Sequence, residues 1–97
     1  MDLTDRLSAL SDEIAEEQTQ LRIIEEQLAF QQDVSEDARI RALVSETPLA
    51  DREAREAADD LRRLERSREE ARARLGDLRA EQDTLLERML HQVREST

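Results

Sequence analysis

The sequence predicts an all-α protein, an antiparallel two-helix coiled-coil hairpin, and three observations lead there. The first is composition. One Phe and no Trp, Tyr or Cys leave no aromatic-centred globular core and no disulfide framework. One Gly and one Pro are too few for hairpin-rich β architectures or a phosphate-cradling loop. Charged residues make up 41% against 37% hydrophobic, the balance of long helices rather than of an ordinary globular domain. The second observation is apolar spacing, and the third is one well-placed proline.

Along the first half, residues three and four apart form a seam: Leu3, Leu7, Leu10, Ile14, Glu17, Leu21, Ile24, Leu28 and Gln31. A second seam runs Ala50, Ala54, Ala57, Leu61, Leu64, Arg68, Ala71, Leu75, Leu78, Gln82, Leu85 and Met89. Runs of about four heptads are the usual signature of a coiled coil. Between them stands Thr47-Pro48. Proline lacks a backbone donor but fits the first position of a helix, so Pro48 should open the second helix with Thr47 as its N-cap.

The expected organisation is a single hairpin over residues 1–97. Its helices cover about 3–46 and about 48–93, with the turn at about 47–48 and a frayed C-terminus at about 94–97. Ser35 followed by Glu36 and Asp37 is an acceptable N-cap, so a kink near Ser35 is the alternative to a straight first helix. Continuing the first seam through it gives Ser35, Ala38, Ala42 and Ser45, all small. Reversal at the proline sets Leu10 against Leu85, Glu17 against Leu78, Gln31 against Leu64 and Ser45 against Ala50, on one seam without a stutter. At 1.5 Å per residue such helices are roughly 70 Å long.

Charge favours the same pairing. Residues 1–47 hold 12 acids and 4 Arg, while residues 48–97 hold 13 acids and 11 Arg. Acids of the first helix are expected to meet Arg of the second at flanking positions, where exposed pairs contribute only about 0–1 kcal/mol each. The net charge of −10 opposes direct nucleic-acid binding. All fifteen basic residues are Arg, as codon bias in a GC-rich genome would give.

No residue set suggests catalysis, a cofactor or a metal. His91 is the sole histidine, and a zinc site needs three or four converging ligands. Carboxylate pairs such as Glu16-Glu17, Glu25-Glu26 and Glu69-Glu70 are expected to form solvated faces. A two-helix rod offers no water-excluding pocket to shift a pKa, so no enzyme activity is expected. No apolar stretch approaches the roughly 18 residues of a membrane span, so no membrane partner is expected. The start, Met1-Asp2-Leu3-Thr4-Asp5, is acidic where a signal peptide is basic; a cytoplasmic location follows. The polar seam residues Glu17, Gln31, Arg68 and Gln82 are expected to fix register; reading a polar ligand or partner is the alternative.

The informative anomaly is apolar residues off the seam. Ile23, Phe30, Val34, Ile40, Leu43 and Val44 lie mostly on outer positions of the first helix, and Leu49 joins them at the turn. The second helix shows no equivalent stripe; its outer face reads Arg, Asp and Glu. An exposed stripe of this size marks an interface. A second copy, giving a homodimer, is the expected occupant. A different protein is the next, and a kink near Ser35 that turns Ile40, Leu43 and Val44 inward is the third.

Two resemblances add to this. Asp33-Val34-Ser35-Glu36-Asp37-Ala38 resembles the acidic finger turn of Gre-type transcript-cleavage factors. That resemblance implies that Asp33 and Glu36 would hold magnesium in an RNA polymerase active site. Here Asp37 replaces the family's Asn, and nine residues separate the motif from Pro48, whereas in that family it caps the hairpin. Residues 37–53, from Asp37-Ala38-Arg39-Ile40 through Thr47-Pro48-Leu49 to Glu53, resemble a segment of short uncharacterised coiled-coil proteins of actinobacteria. This implies a bacterial, cytoplasmic coiled coil and no activity. Three function classes result: a non-enzymatic adaptor or scaffold, a regulator binding a sigma factor or RNA polymerase, and a self-assembling structural coiled coil.

Overall fold

Asp2 begins the fold by capping the first helix. Its Oδ1 accepts from the Asp5 N–H at 2.8 Å and its carbonyl accepts from the Arg6 N–H at 3.0 Å, which satisfies amides that a helix start leaves without partners. In the computed structural model, which describes residues 2–96, α1 runs Leu3–Ser45 and α2 runs Pro48–Glu95. The two helices form an all-α helical hairpin of the coiled-coil type, with no strand among the described residues.

The connection is Glu46-Thr47, one residue earlier than the expected 47–48, and Glu46 makes the reversal. Glu46 adopts φ 52°, and its N–H donates to the Ala42 carbonyl at 3.1 Å. This is the left-handed cap that usually calls for Gly, since a Cβ is strained there. Thr47 then caps α2: its Oγ1 accepts from the Ala50 N–H at 3.1 Å, and its carbonyl from the Asp51 N–H at 3.0 Å. Pro48 is the first residue of α2, where its missing N–H costs nothing.

Ser35 does not start a helix. α1 is unbroken through 33–37, and neither Gly nor Pro is present there to interrupt it. The last turn of α2 holds to Glu95, two residues past the expected end, with the Ser96 N–H bonded to the Gln92 carbonyl at 3.1 Å. Of the expected frayed segment, Thr97 lies outside the described residues.

The chain packs as two compact units. The terminal unit pairs α1 up to Gln20 with α2 from Ala71. Its core is Leu10, Ile14, Ala71, Leu75 and Leu85, with Leu10 wholly buried. Glu17 and Leu78 line one hollow here, the juxtaposition the antiparallel register requires. Glu17 also meets Arg74 at 3.3 Å, an acid of α1 against an Arg of α2. Arg6 reverses that polarity: it bonds Glu81 at 2.6 and 3.0 Å and lies 3.5 Å from Glu13. Charge bias between the helices therefore does not dictate each pair.

The turn unit comprises Leu21–Glu70. Its buried seam is Leu28, Ala38, Ala50 and Ala57, mostly small side chains that let backbones approach closely. Gln31 and Leu64 line the same hollow, as the register requires. Gln31 Nε2 donates to the Ala57 carbonyl at 3.0 Å, so this polar seam residue anchors α1 directly to the main chain of α2. Ser45 departs from the expected seam and is exposed, because the helix ends there and Glu46 turns away.

Candidate functional site

The outer positions of α1 in the turn unit carry the exposed apolar residues. Phe30 is 71% exposed and Val44 80%, with Ile23 and Ile40 near half. Ile23, Phe30 and Val44 share one heptad position, with Asp37 occupying the fourth place in that line. Val34 differs from the others: it is half-buried, because its position flanks the seam and part of the side chain is covered. Leu43 is exposed but does not belong to this line. At 3.6 residues per turn it points about 100° from Val44, toward the opposite shoulder of α1. Ile40, Leu43 and Val44 are not turned inward as a kink near Ser35 would require, since all three are solvent-exposed.

At Phe30 the line borders a groove between α1 and α2. One depression is lined by Glu26, Gln27, Phe30, Gln31 and Leu64. The adjoining one is lined by Gln31, Val34, Ala38 and Arg41 from α1 and by Glu53, Glu56, Ala57 and Asp60 from α2. Gln31 is common to both, so they form one continuous channel. Leu49 is four residues before Glu53 and seven before Glu56, which places it on the same face of α2. Of the exposed line, Phe30 lines the groove, beside Glu26, Gln27 and Arg41 of α1; the floor is Val34, Ala38, Ala57 and Leu64, and the α2 wall is acidic.

Of the carboxylates on that wall Asp60 is paired within α2, whereas Glu53 and Glu56, like Glu16, Glu25 and Asp33 elsewhere, make no ion pair among the described residues. Asp59 is paired with Arg62, Asp60 with Arg63 and Glu36 with Arg39, each three residues apart. The Arg39 guanidinium, bonding Glu36 at 2.7 and 3.1 Å, holds the Glu36 carboxyl below the usual carboxylate range. Glu26, on the α1 side of the groove, makes no ion pair within the described chain either. Sequence reading finds the exposed apolar line and misses the acidic wall. Leu49, Glu53, Glu56 and Asp60 recur at helical spacing, but acids so spaced also form any solvated face.

Sequence reading also misses a second apolar edge. Leu86, Leu90 and Val93 of the terminal unit are about half exposed and lie at i, i+4 and i+7 on one face of α2. This overturns the expectation that α2 carries no outer stripe. Nearby, Leu3, Leu85, Met89 and Val93 line a shallow hollow with Arg6 and Arg88.

The remaining candidates are placed as follows. Asp33 is exposed within α1, and Glu36 is bound to Arg39. Among the described residues, no three His, Asp or Glu side chains converge as a metal site would need. His91 is exposed, 3.1 Å from Glu95. Arg68 is half-buried on the seam; its Nε is buried without a hydrogen-bond partner and lies 3.9 Å from Glu69. No helix among the described residues is long and apolar enough to cross a membrane. No protein-family model matches the chain, and no curated protein or solved structure shows significant similarity to it.

Proposed function

We infer that the chain is a non-enzymatic protein-interaction module, an adaptor or scaffold working in the cytoplasm through the turn unit. The observation that carries this reading is the exposure of Phe30 and Val44 on one line with Ile23. An isolated hairpin leaves them in water at a cost of about 25 cal/mol per Å² of apolar surface. Burial against another chain recovers that free energy, and exposed apolar patches of this kind are typical of interaction sites. The reading is tested by Phe30→Asp and Val44→Asp. Each should leave helix content and melting of the isolated chain unchanged while abolishing whatever association the wild type shows in sedimentation or pull-down. If wild type and variants associate identically, the edge is not the contact surface.

A self-assembling coiled coil, the homodimer, is the second reading. It is favoured by the heptad spacing of Ile23, Phe30 and Val44, which would let one edge seat on a copy of itself. A regulator reaching RNA polymerase through Asp33 and Glu36 is tested by Glu36→Ala. Unchanged polymerase activity with that variant would end it.

A further inference from the structure

We propose that the groove of the turn unit takes a basic amphipathic helix from a different protein, docked as a third helix alongside α1 and α2. The proposal rests on the interaction-module reading and names its partner by chemistry. An incoming helix would lay its apolar face on Phe30, Val34 and Leu64 and set its flanking residues against α2. There it meets Glu53 and Glu56, which have no counter-ion within the described chain. From Ile23 to Val44 the edge is long enough for a partner of about 21 residues at 1.5 Å each. Helix-in-groove docking of this kind reads apolar anchors at i, i+3, i+4 and i+7 and adds charge pairs at the rim.

A second copy fits less well, for an electrostatic reason. It would present the same edge, bringing acidic wall toward acidic wall with Arg41 as the opposing base in the groove. Asp37 interrupts the line of Ile23, Phe30 and Val44, so pairing two such lines would press a carboxylate against apolar side chains. Like charges across an interface select against that partner. A chain supplying Arg or Lys at these positions would instead neutralise Glu53 and Glu56 and tolerate Asp37.

The test uses the full chain and two fluorescein-labelled helical peptides of about 21 residues. Both peptides carry Leu and Ile on one face; one has Arg and the other Glu at the flanking positions. Fluorescence anisotropy at low salt should give the Arg peptide at least about tenfold tighter binding, with the preference shrinking as salt screens the rim. Phe30→Asp should abolish binding of both peptides. The double change Glu53→Gln with Glu56→Gln should remove most of the preference while leaving the circular dichroism spectrum unchanged. Equal affinity for the two peptides, or no binding of either, overturns the proposal. Sedimentation equilibrium separates that failure from failure of the underlying reading. A wild-type dimer that Phe30→Asp dissociates would make a second copy the occupant and keep the interaction module. A monomer that binds neither peptide would remove both.

Discussion

Glu46 occupies a backbone conformation that its side chain does nothing to stabilise. At φ 52° a Cβ is strained, whereas Gly adopts that region freely. Replacing Glu46 by Gly relieves about 1–2 kcal/mol of strain against about 0.5–1 kcal/mol of added chain entropy, so stability should rise slightly, read as a higher urea midpoint. Thr47 is the opposite case, because its Oγ1 bonds the Ala50 N–H. Thr47→Ala should cost about 1 kcal/mol. Gly76 lies exposed inside α2, and a methyl group added there would meet nothing within 4 Å; Gly76→Ala should add about 1 kcal/mol of helix propensity. These positions also show what sequence spacing conveys locally. Pro48 announces the start of α2, but a Glu in a left-handed turn carries no compositional mark.

At the scale of the helices, burial decides which apolar residues matter. Leu10 is wholly buried, so Leu10→Ala should cost about 3 kcal/mol by lost transfer and cavity formation. Leu43→Ala, at a residue 65% exposed, should shift the same denaturation curve little. The seam is legible in the sequence because every buried hydrophobic residue falls on one of the two series spaced three and four apart. Leu43 falls outside the stripe expected of it because residues one apart point about 100° away from each other. Leu86, Leu90 and Val93 are hidden among Leu85 and Met89, where seam and outer face are both apolar. Ion-pair partners are not legible from helix-wide charge, since Arg6 pairs with Glu81 against the overall bias. That pair also sets a pH dependence. Bonding to Arg6 holds the Glu81 carboxyl below its ordinary value, so its contribution is full above the unfolded-state pKa and is lost as pH falls through the lowered one. The melting-temperature gap between wild type and Glu81→Gln should be present at neutral pH and close on acidification. A gap that persists in acid would mean that the glutamate acts through packing rather than charge.

For the molecule as a whole, the negative charge and the exposed apolar edges have opposing effects on solubility. A net charge of −10 at pH 7 keeps copies apart, and it vanishes near the isoelectric point of 4.6. Solutions titrated toward that pH should turn turbid, and Phe30→Asp with Val44→Asp should delay the onset. Unchanged turbidity in the double variant would assign the association to another surface, with Leu86, Leu90 and Val93 the next to change. The architecture is readable from sequence because two sustained seams and one proline admit few topologies. The groove is less so. The apolar line beside it stands out against a polar helix, whereas its acidic wall is indistinguishable from any solvated face until the two helices are brought together.

The bond from Gln31 to the Ala57 carbonyl joins residues 26 apart in sequence, and the Arg6–Glu81 pair joins residues 75 apart. Closing the longer loop directly costs only about 1 kcal/mol more in chain entropy, but a chain that zips from Glu46 meets the shorter one first. The layers that form earliest are then those of Ala38, Ala50 and Ala57, which hold each other least. Early hairpins should open again more often than they grow, until Leu28 is covered. Folding speed would then depend on whether Gln31 reaches its carbonyl before the turn comes apart, which gives one side-chain amide a kinetic weight out of proportion to its strength.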